Sequence, residues 1–331
     1  MKHANLSIFV PHVGCPNQCS FCNQKSISGT QTQPTKSYVK ELCFTAEKEL
    51  SGRCNDAEIA FFGGSFTAIE RSYMLELLQA AEPFVHGNVF KGIRISTRPD
   101  AINNEILDIL KHYGVTAIEL GAQSMSDEML TLNSRGHTAS QVEKASNLIR
   151  ENGFELGLQM MTGLYGSDEQ TDRKTALRLA QLKPDTVRIY PTIVVEGTVL
   201  ADYWRKGVYQ PQTLDEAVKL GAWLLDMFEF RCQIPVIRMG LHAQDSLQKD
   251  KLAGPYHPAF RELCEARLIY ERAIKQAGRP SNYILWISPK SISKINGHGA
   301  QTIEKLKQLG YNVTIRQDIH LSGLDIIVEE V

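Results

Sequence analysis

Short apolar, β-rich runs alternate with longer stretches whose apolar residues recur at helical spacing through the first 195 residues. The runs predict strands at Leu6–Pro11, Ile59–Phe62, Gly92–Thr97, Val115–Gly121, Glu155–Met161 and Thr186–Thr192. Between them lie helical stripes at period 3.6: Tyr73, Met74, Leu77, Leu78 and Ala81; then Ile102, Ile106, Ile109, Leu110 and Tyr113; then Val142, Ala145, Leu148 and Ile149. Repeated strand–helix alternation implies an α/β fold with a parallel sheet and helices outside it. A doubly wound sheet and a partial TIM-like (β/α)6 barrel both satisfy that pattern. The placement of polar and glycine residues favours the barrel. The segment after the first strand carries three cysteines, Gly63, Gly64, Ser65 and Phe66 follow the second, Ser96–Asp100 closes the third, and Gln123 and Ser124 the fourth. Gln159 lies late in the fifth strand and Tyr190 in the sixth. Polar positions at the C-terminal ends of all strands converge on one mouth, where barrels keep their chemistry.

Beyond residue 195 the alternation stops. Thr213 and Glu216 have the spacing of a capping box and open a helix carrying Ala217, Leu220, Leu224, Leu225 and Phe228. A Gly/Pro/His stretch at 254–258 precedes a second helix over Ala259–Gln276, and Pro280 marks a further break. The last segment reads strand, helix, turn, helix, strand, strand. The expected division is therefore a core barrel over 1–231, a helical connection over 232–280 and a small α+β module over 281–331.

Composition narrows the field. A chain of 331 residues that is 43% hydrophobic can bury a large core. Its net charge of −1 advertises no global field for nucleic acid. No apolar run approaches the ~18 residues that would span a membrane, and the N-terminal MKHANLSIFVPHV lacks the profile of a signal peptide. Seven cysteines, an odd number, argue against a disulfide framework and for a reducing cytoplasm. Cys43 and Cys264 fall on apolar helical stripes, and with Cys54 and Cys232 they read as structural.

Cys15, Cys19 and Cys22 stand apart, in VGCPNQCSFCNQ. Three thiolates on one short loop can hold three irons of a [4Fe–4S] cubane, whereas an electron-transfer cluster of this kind takes four cysteines. One iron is then open for an exchangeable ligand, the arrangement needed for reductive chemistry on S-adenosylmethionine (SAM). A structural zinc site completed by His3 or His12 is the competing reading. Gly63 and Gly64, after the second strand, let backbone groups approach a ligand closely, which in a SAM site places the methionyl amino group there. Arg135, in LNSRGHT, offers a planar fork suited to a carboxylate. The amides of Gln123 and Gln159 suit ribose hydroxyls.

On these residues the chain resembles a known family. GCPNQCSFCNQ, FFGGSFT, ISTRPDAI, IELGAQSMSDEML, SRGHT, MMTGLYGSDEQTD and VRIYPTIVVEGTVL follow one another as in the radical SAM module of Elongator catalytic subunits and their bacterial relatives, and HPAFRELCEARL resembles the region beyond it. A weaker likeness extends to oxygen-independent coproporphyrinogen oxidases. The resemblance implies that Cys15, Cys19 and Cys22 ligate the cluster, that Gly63, Gly64 and Ser65 hold the SAM amino group, that Gln123 and Gln159 face the ribose, and that Arg135 meets the methionyl carboxylate. Ser96 stands where relatives often have an acidic residue near the amino group. The implied chemistry is reductive cleavage of SAM to methionine and a 5′-deoxyadenosyl radical, fed by a reductant such as flavodoxin or ferredoxin. Elongator catalytic subunits modify wobble uridines in tRNA with the help of an acetyltransferase domain and a basic N-terminal extension. Neither is expected within these 331 residues, so the family's full reaction does not carry over intact.

The segment from Ile284 to Asp318 also resembles a KH-type RNA-binding module, with Gly297-His298-Gly299-Ala300 at the position of its GxxG turn. Over residues 281–317, Lys290, Lys294, Lys305, Lys307 and Arg316 against Glu304 give a positive excess compatible with RNA, and the tail over 318–331 returns it through Asp318, Asp325, Glu329 and Glu330. A small α+β cap suits the same pattern equally. The expectation is thus a radical SAM enzyme acting on RNA, tRNA included, or on a small substrate delivered to the barrel mouth. The alternative is a non-catalytic RNA-binding protein with a structural iron–sulfur or zinc site.

Overall fold

The computed structural model describes residues 4–11, 15, 18–23, 32–52, 56–85, 89–242, 245–296 and 302–331. The expected turn at 297–300, and His3, His12 and Cys54, lie outside these residues. The described chain divides into two compact units, one of residues 1–211 with 242–254 and the other of residues 212–241 with 255–331. These limits differ from the three segments expected above, because the capping-box helix belongs with the second unit.

In the first unit, six strands run in chain order through a parallel sheet: β1 (Ala4–Val10), β2 (Ala57–Gly63), β3 (Phe90–Thr97), β4 (Val115–Gln123), β5 (Glu155–Thr162) and β6 (Thr186–Pro191). Each expected strand is present, shifted by a residue or two at its ends. Helices α1 (Lys36–Leu50), α2 (Arg71–Val85), α3 (Asn104–His112), α4 (Asp127–Leu132), α5 (Ala139–Glu151) and α6 (Glu169–Gln181) connect them. The sheet is the curled, partial barrel that the mouth-forming residues implied.

The helices form where their stripes put them. Met74, Leu77, Leu78 and Ala81 are buried on α2, and Val142, Ala145 and Ile149 on α5. Asn103 caps α3 through the Ile106 N–H, and Thr138 with Gln141 closes a capping box on α5. One phase of the strands supplies the apolar layer beneath these helices: Ile59, Phe61, Ile93, Ile95, Ile118, Leu120, Leu156, Leu158, Val187 and Ile189 are all buried. Each such side chain contributes roughly 1.5–3 kcal/mol by leaving water.

The other phase departs from the apolar norm of parallel strands. Glu58, Arg94, Glu119, Glu155, Gln159 and Arg188 alternate with the apolar set on β2 to β6. Arg94 donates to Glu58 at 2.7 Å and to Glu155 at 2.6 Å, and its Nη1 stands 3.6 Å from Glu119. Arg188 lies 2.7 Å from Glu119. Burial works against the charge on Arg94, but Glu58, Glu155 and Glu119 outweigh it and hold the guanidinium protonated.

In the second unit, helices α7 (Leu214–Leu225) and α8 (Phe260–Ala277) pack against each other, closely enough that a Cβ on Gly221 would sit 2.4 Å from Cys264 Sγ. Thr213 and Glu216 form the expected capping box. Strand β7 (Asn282–Ile287) is central in a three-stranded sheet, parallel to β8 (Asn312–Gln317) and antiparallel to β9 (Ile326–Glu330). Short helices Ile292–Asn296 and Thr302–Gln308 lie between the first two of these strands, in the expected order. Burial pushes the Cys43 thiol up to about 12 and the Cys264 thiol well above its ordinary value, as befits packing residues. Cys232, read as structural, is instead exposed. Among the described residues no helix is long and apolar enough to cross a membrane.

Candidate active site at the mouth of the barrel

The C-terminal ends of β1 to β5 bring the expected residues together. Gly63 ends β2 with φ +110°, and a Cβ there would lie 3.0 Å from Val10 O. Both facts demand glycine, because that backbone region is strained for any other residue. The next N–H, of Gly64, donates to Val10 O at 2.8 Å, so the turn is laid against the strand leading into the cysteine loop. Gly63→Ala is expected to cost about 1–3 kcal/mol of stability from this strain alone, and to weaken SAM binding. Urea unfolding and equilibrium dialysis measure the two effects.

Ser65 sits beneath the turn. Its Oγ accepts from the Arg98 N–H at 3.0 Å and shares a bond with Thr97 Oγ1 at 2.9 Å. The structure therefore spends this hydroxyl on joining β2 to β3. Ser96 and Gln159 meet across the sheet: Gln159 Nε2 donates to Glu119 at 2.9 Å and to Ser96 Oγ at 3.4 Å. Gln123 ends β4 with φ +63°, in a tight turn closed by the Ser124 N–H on Ala122 O at 2.8 Å. Its Oε1 is buried without a hydrogen-bond partner among the described residues. A strained backbone and an unsatisfied buried acceptor together mark a position shaped for a ligand.

The cysteine loop is anchored at its middle. Cys19 is buried, Cys22 half-buried and Cys15 exposed. The Ser20 N–H donates to Asn133 O at 3.1 Å, Ser20 Oγ to Asn133 Oδ1 at 2.7 Å, and the Leu200 N–H to Ser20 O at 2.8 Å. The Asn23 amide donates to Glu196 O at 3.0 Å. Arg135 closes the arrangement, donating from Nη1 to Cys19 Sγ at 3.4 Å and from Nη2 to Gly121 O at 2.7 Å, while its Nε is buried with no hydrogen-bond partner among the described residues. Gly121 leaves the necessary room: a Cβ there would meet Arg135 Nη2 at 2.6 Å. Among the described residues no three His, Cys, Asp or Glu side chains are already gathered closely enough to hold a metal ion.

Three residues at this mouth were not singled out by their place in the sequence. Arg98 is buried, pairs in bidentate fashion with Asp100 at 2.8 Å and donates to Arg135 O at 3.3 Å. Its bond to Asp100 does most to keep it charged, burial opposes this, and Cys15 and Cys19 add to it. His137 is buried with Nε2 3.2 Å from Ala122 O, and burial followed by Arg135 lowers its pKa to about 4. It is thus neutral at pH 7, with Nε2 as the assigned donor. Asp172 accepts from the Gly163 N–H at 2.8 Å and from Ser167 Oγ at 2.6 Å behind the fifth strand, and burial raises its pKa to about 6.

The last two groups oppose each other in acid. A histidine depressed from 6.5 to about 4 makes the unfolded chain bind more protons over that interval, so stability falls as the pH falls through it. An aspartate raised from 3.8 to about 6 makes the folded chain bind more, so stability rises as the pH falls from 6 towards 4. Asp172→Asn removes the second effect. Its unfolding free energy is expected to drop more steeply than the wild type's between pH 6 and 4, by up to about 3 kcal/mol in all. Urea titrations at several pH values check this; parallel profiles would contradict it.

Residues 9–179 match the Radical SAM superfamily, and residues 184–270 match the Radical_SAM C-terminal domain. The chain belongs to the radical SAM superfamily: it is an enzyme of the class that works with a [4Fe–4S] cluster and SAM. That membership decides against a non-catalytic binding protein. The chain is 29% identical over 208 residues to the tRNA uridine(34) acetyltransferase of Methanocaldococcus jannaschii, covering 56% of this chain and 37% of that protein. It is 27% identical over 241 residues to human Elongator complex protein 3, covering 67% of this chain and 43% of the relative. It thus spans less than half the length of these two relatives. Among solved structures it is similar to archaeal Elp3 of Methanocaldococcus infernus, with a TM-score of 0.63 and 22% identity over 83% of this chain and 63% of the other. That likeness bears on the fold.

The residues present fit the two cofactors. The loop supplies soft thiolate donors, which iron–sulfur clusters take. The buried, unpartnered Gln123 Oε1 and Arg135 Nε are an acceptor and a donor of the kind a polar ligand satisfies.

Proposed function

We propose that Cys15, Cys19 and Cys22 hold a [4Fe–4S] cluster at this mouth, that SAM binds beside it, and that the enzyme modifies RNA, with tRNA as its substrate. Once bound, the pair supplies one-electron reductive cleavage of SAM to methionine and a 5′-deoxyadenosyl radical, which abstracts hydrogen from the substrate. The remaining roles fall to this chain. An ammonium group needs acceptors, so the carbonyls at Gly63 and Gly64 suit the methionyl amino group. The Gly64 N–H is committed to Val10. Ser65 holds that turn in place, and Ser96 sets the near wall of the pocket. Arg135 faces the carboxylate with its spare N–H groups. Gln159 serves Glu119 through Nε2, which makes its carbonyl oxygen the atom for a ribose hydroxyl. Gln123 Oε1 accepts from the second hydroxyl. Arg98 and His137 fix the main chain around Arg135 and Ala122.

The observation that carries the reading is the docking of the buried Cys19 against Arg135 at the barrel mouth. The tRNA substrate rests on the names of the relatives, tRNA uridine(34) acetyltransferase among them. A low-potential donor such as flavodoxin or ferredoxin delivers the electron, and a reducing cytoplasm suits an oxygen-labile centre. The test is anaerobic: 5′-deoxyadenosine is quantified by mass spectrometry with dithionite and SAM, with and without bulk tRNA. Stimulation of several-fold by tRNA, with a mass change in a digested nucleoside, is expected. Turnover indifferent to tRNA would remove the substrate assignment and leave the SAM chemistry standing.

A further inference from the structure

Arg135 has more to do than meet a carboxylate. Its guanidinium is buried beside a buried sulfur, with Nη1 donating to Cys19 Sγ at 3.4 Å. The orientation is fixed independently of any ligand. Nη2 is tied to Gly121 O at 2.7 Å, the Arg135 N–H donates to Leu130 O at 2.9 Å, and the Arg135 carbonyl accepts from Arg98 at 3.3 Å. The segment also grips the next residue of the loop, through the two bonds between Ser20 and Asn133. The contact is therefore held by the protein's own bonds on both sides of the guanidinium. Cys15 and Cys22 are more open to solvent, whereas the Cys19 sulfur accepts from a charged donor in a water-poor setting.

Reducing an iron–sulfur cluster adds negative charge that spreads onto its sulfurs. Hydrogen bonds to those sulfurs and nearby cations stabilise the reduced form and raise the potential. At low dielectric such an effect is magnified. We propose that Arg135 is a positioning residue for the iron centre itself, holding the Cys19 sulfur through its Nη1–H and making the centre easier to reduce before SAM binds. This rests on the reading of Cys19 as a cluster ligand, and it is separate from any contact of Arg135 with SAM. Arg98, whose charge is also felt at Cys15 and Cys19, adds to the same field from behind.

The experiment separates the two roles. Wild type, Arg135→Gln and Arg135→Lys are reconstituted anaerobically, their iron is counted, and the cluster is titrated with dithionite and mediators while its reduced form is followed by electron paramagnetic resonance. The titration is run without SAM, and SAM affinity is measured separately by equilibrium dialysis. The expected result is a more negative SAM-free midpoint in Arg135→Gln, with a smaller shift in the same direction in Arg135→Lys. Lysine keeps the charge, but its single ammonium cannot serve Gly121 O and Cys19 Sγ with the same fork. The lysine variant keeps the test decisive if the glutamine variant fails to fold. A SAM-free midpoint equal to the wild type's overturns the proposal. If SAM affinity falls at the same time, Arg135 acts on the carboxylate alone and the SAM site stands. A wild type that assembles no [4Fe–4S] cluster overturns both the ligand assignment and this proposal.

Discussion

Replacing Cys19 with alanine is expected to bring reductive SAM cleavage to background and to strip the protein of most of its iron, while the chain stays folded. Cys19 is the anchored member of its loop: Arg135 meets its sulfur, and its neighbour Ser20 is bonded to Asn133 and Leu200. With Cys15, Cys19 and Cys22 as the proposed ligands, removing one thiolate leaves two for a cluster assigned three from this loop. The fold pays little, because the Ser20 bonds are made by other atoms and the lost side chain is small. The expected stability change is about 1 kcal/mol or less, since a small side chain at a mouth open to ligands leaves a modest cavity. Iron content, visible absorption and urea unfolding, measured on one preparation, separate loss of the centre from loss of the fold. An alanine variant that retains full iron and activity would show that other groups hold the centre.

The largest effect on stability is expected at Glu119. This carboxylate lies 1% exposed inside the barrel, 2.7 Å from Arg188 and 3.6 Å from Arg94, and it accepts from Gln159 at 2.9 Å. Glu119→Ala strands Arg188, whose remaining partners are fewer, and deprives Arg94 of one of three carboxylates. Breaking a buried pair from one side typically costs about 3–5 kcal/mol, because the other charge stays desolvated. The same substitution frees the Gln159 amide to rotate, so SAM affinity should fall in whatever folded fraction remains. Chemical unfolding is the measurement. A loss below about 1 kcal/mol, the scale of an exposed ion pair, would mean that water screens these charges far more than their burial implies.

How much of this was legible along the chain follows from the range of each interaction. The strands and helices of the barrel were readable because each is local: Ile59–Phe62 grew only to Ala57–Gly63, and the α5 stripe kept its cap at Thr138. The cysteine loop was readable for the same reason, since its spacing lies within eight residues of one another in sequence. The glycine turn was readable as a turn, and its register after β2 marked it as part of the mouth. The charge network was not readable. Glu58, Arg94, Glu119 and Arg188 lie on four different strands, and only the successive registers of β2 to β6 bring them together. The one signal available was their shared phase on successive strands. Nor could spacing reveal that Arg135 meets Cys19, 116 residues away. The resemblance placed Ser65 with the glycines at the SAM amino group, and nothing local showed that its hydroxyl also joins two strand ends. The small C-terminal sheet was legible as an order of elements, and its parallel β7–β8 and antiparallel β7–β9 pairings emerged only in three dimensions.

The central claim is that this mouth performs reductive cleavage of SAM. The most direct measurement is anaerobic reconstitution of the wild type, followed by SAM and dithionite, with 5′-deoxyadenosine quantified by mass spectrometry and Cys19→Ala run beside it. The account predicts 5′-deoxyadenosine from the wild type, in the presence of tRNA if not without it, and none above background from the variant. A wild type that carries its cluster and binds SAM but yields no 5′-deoxyadenosine under either condition would contradict it.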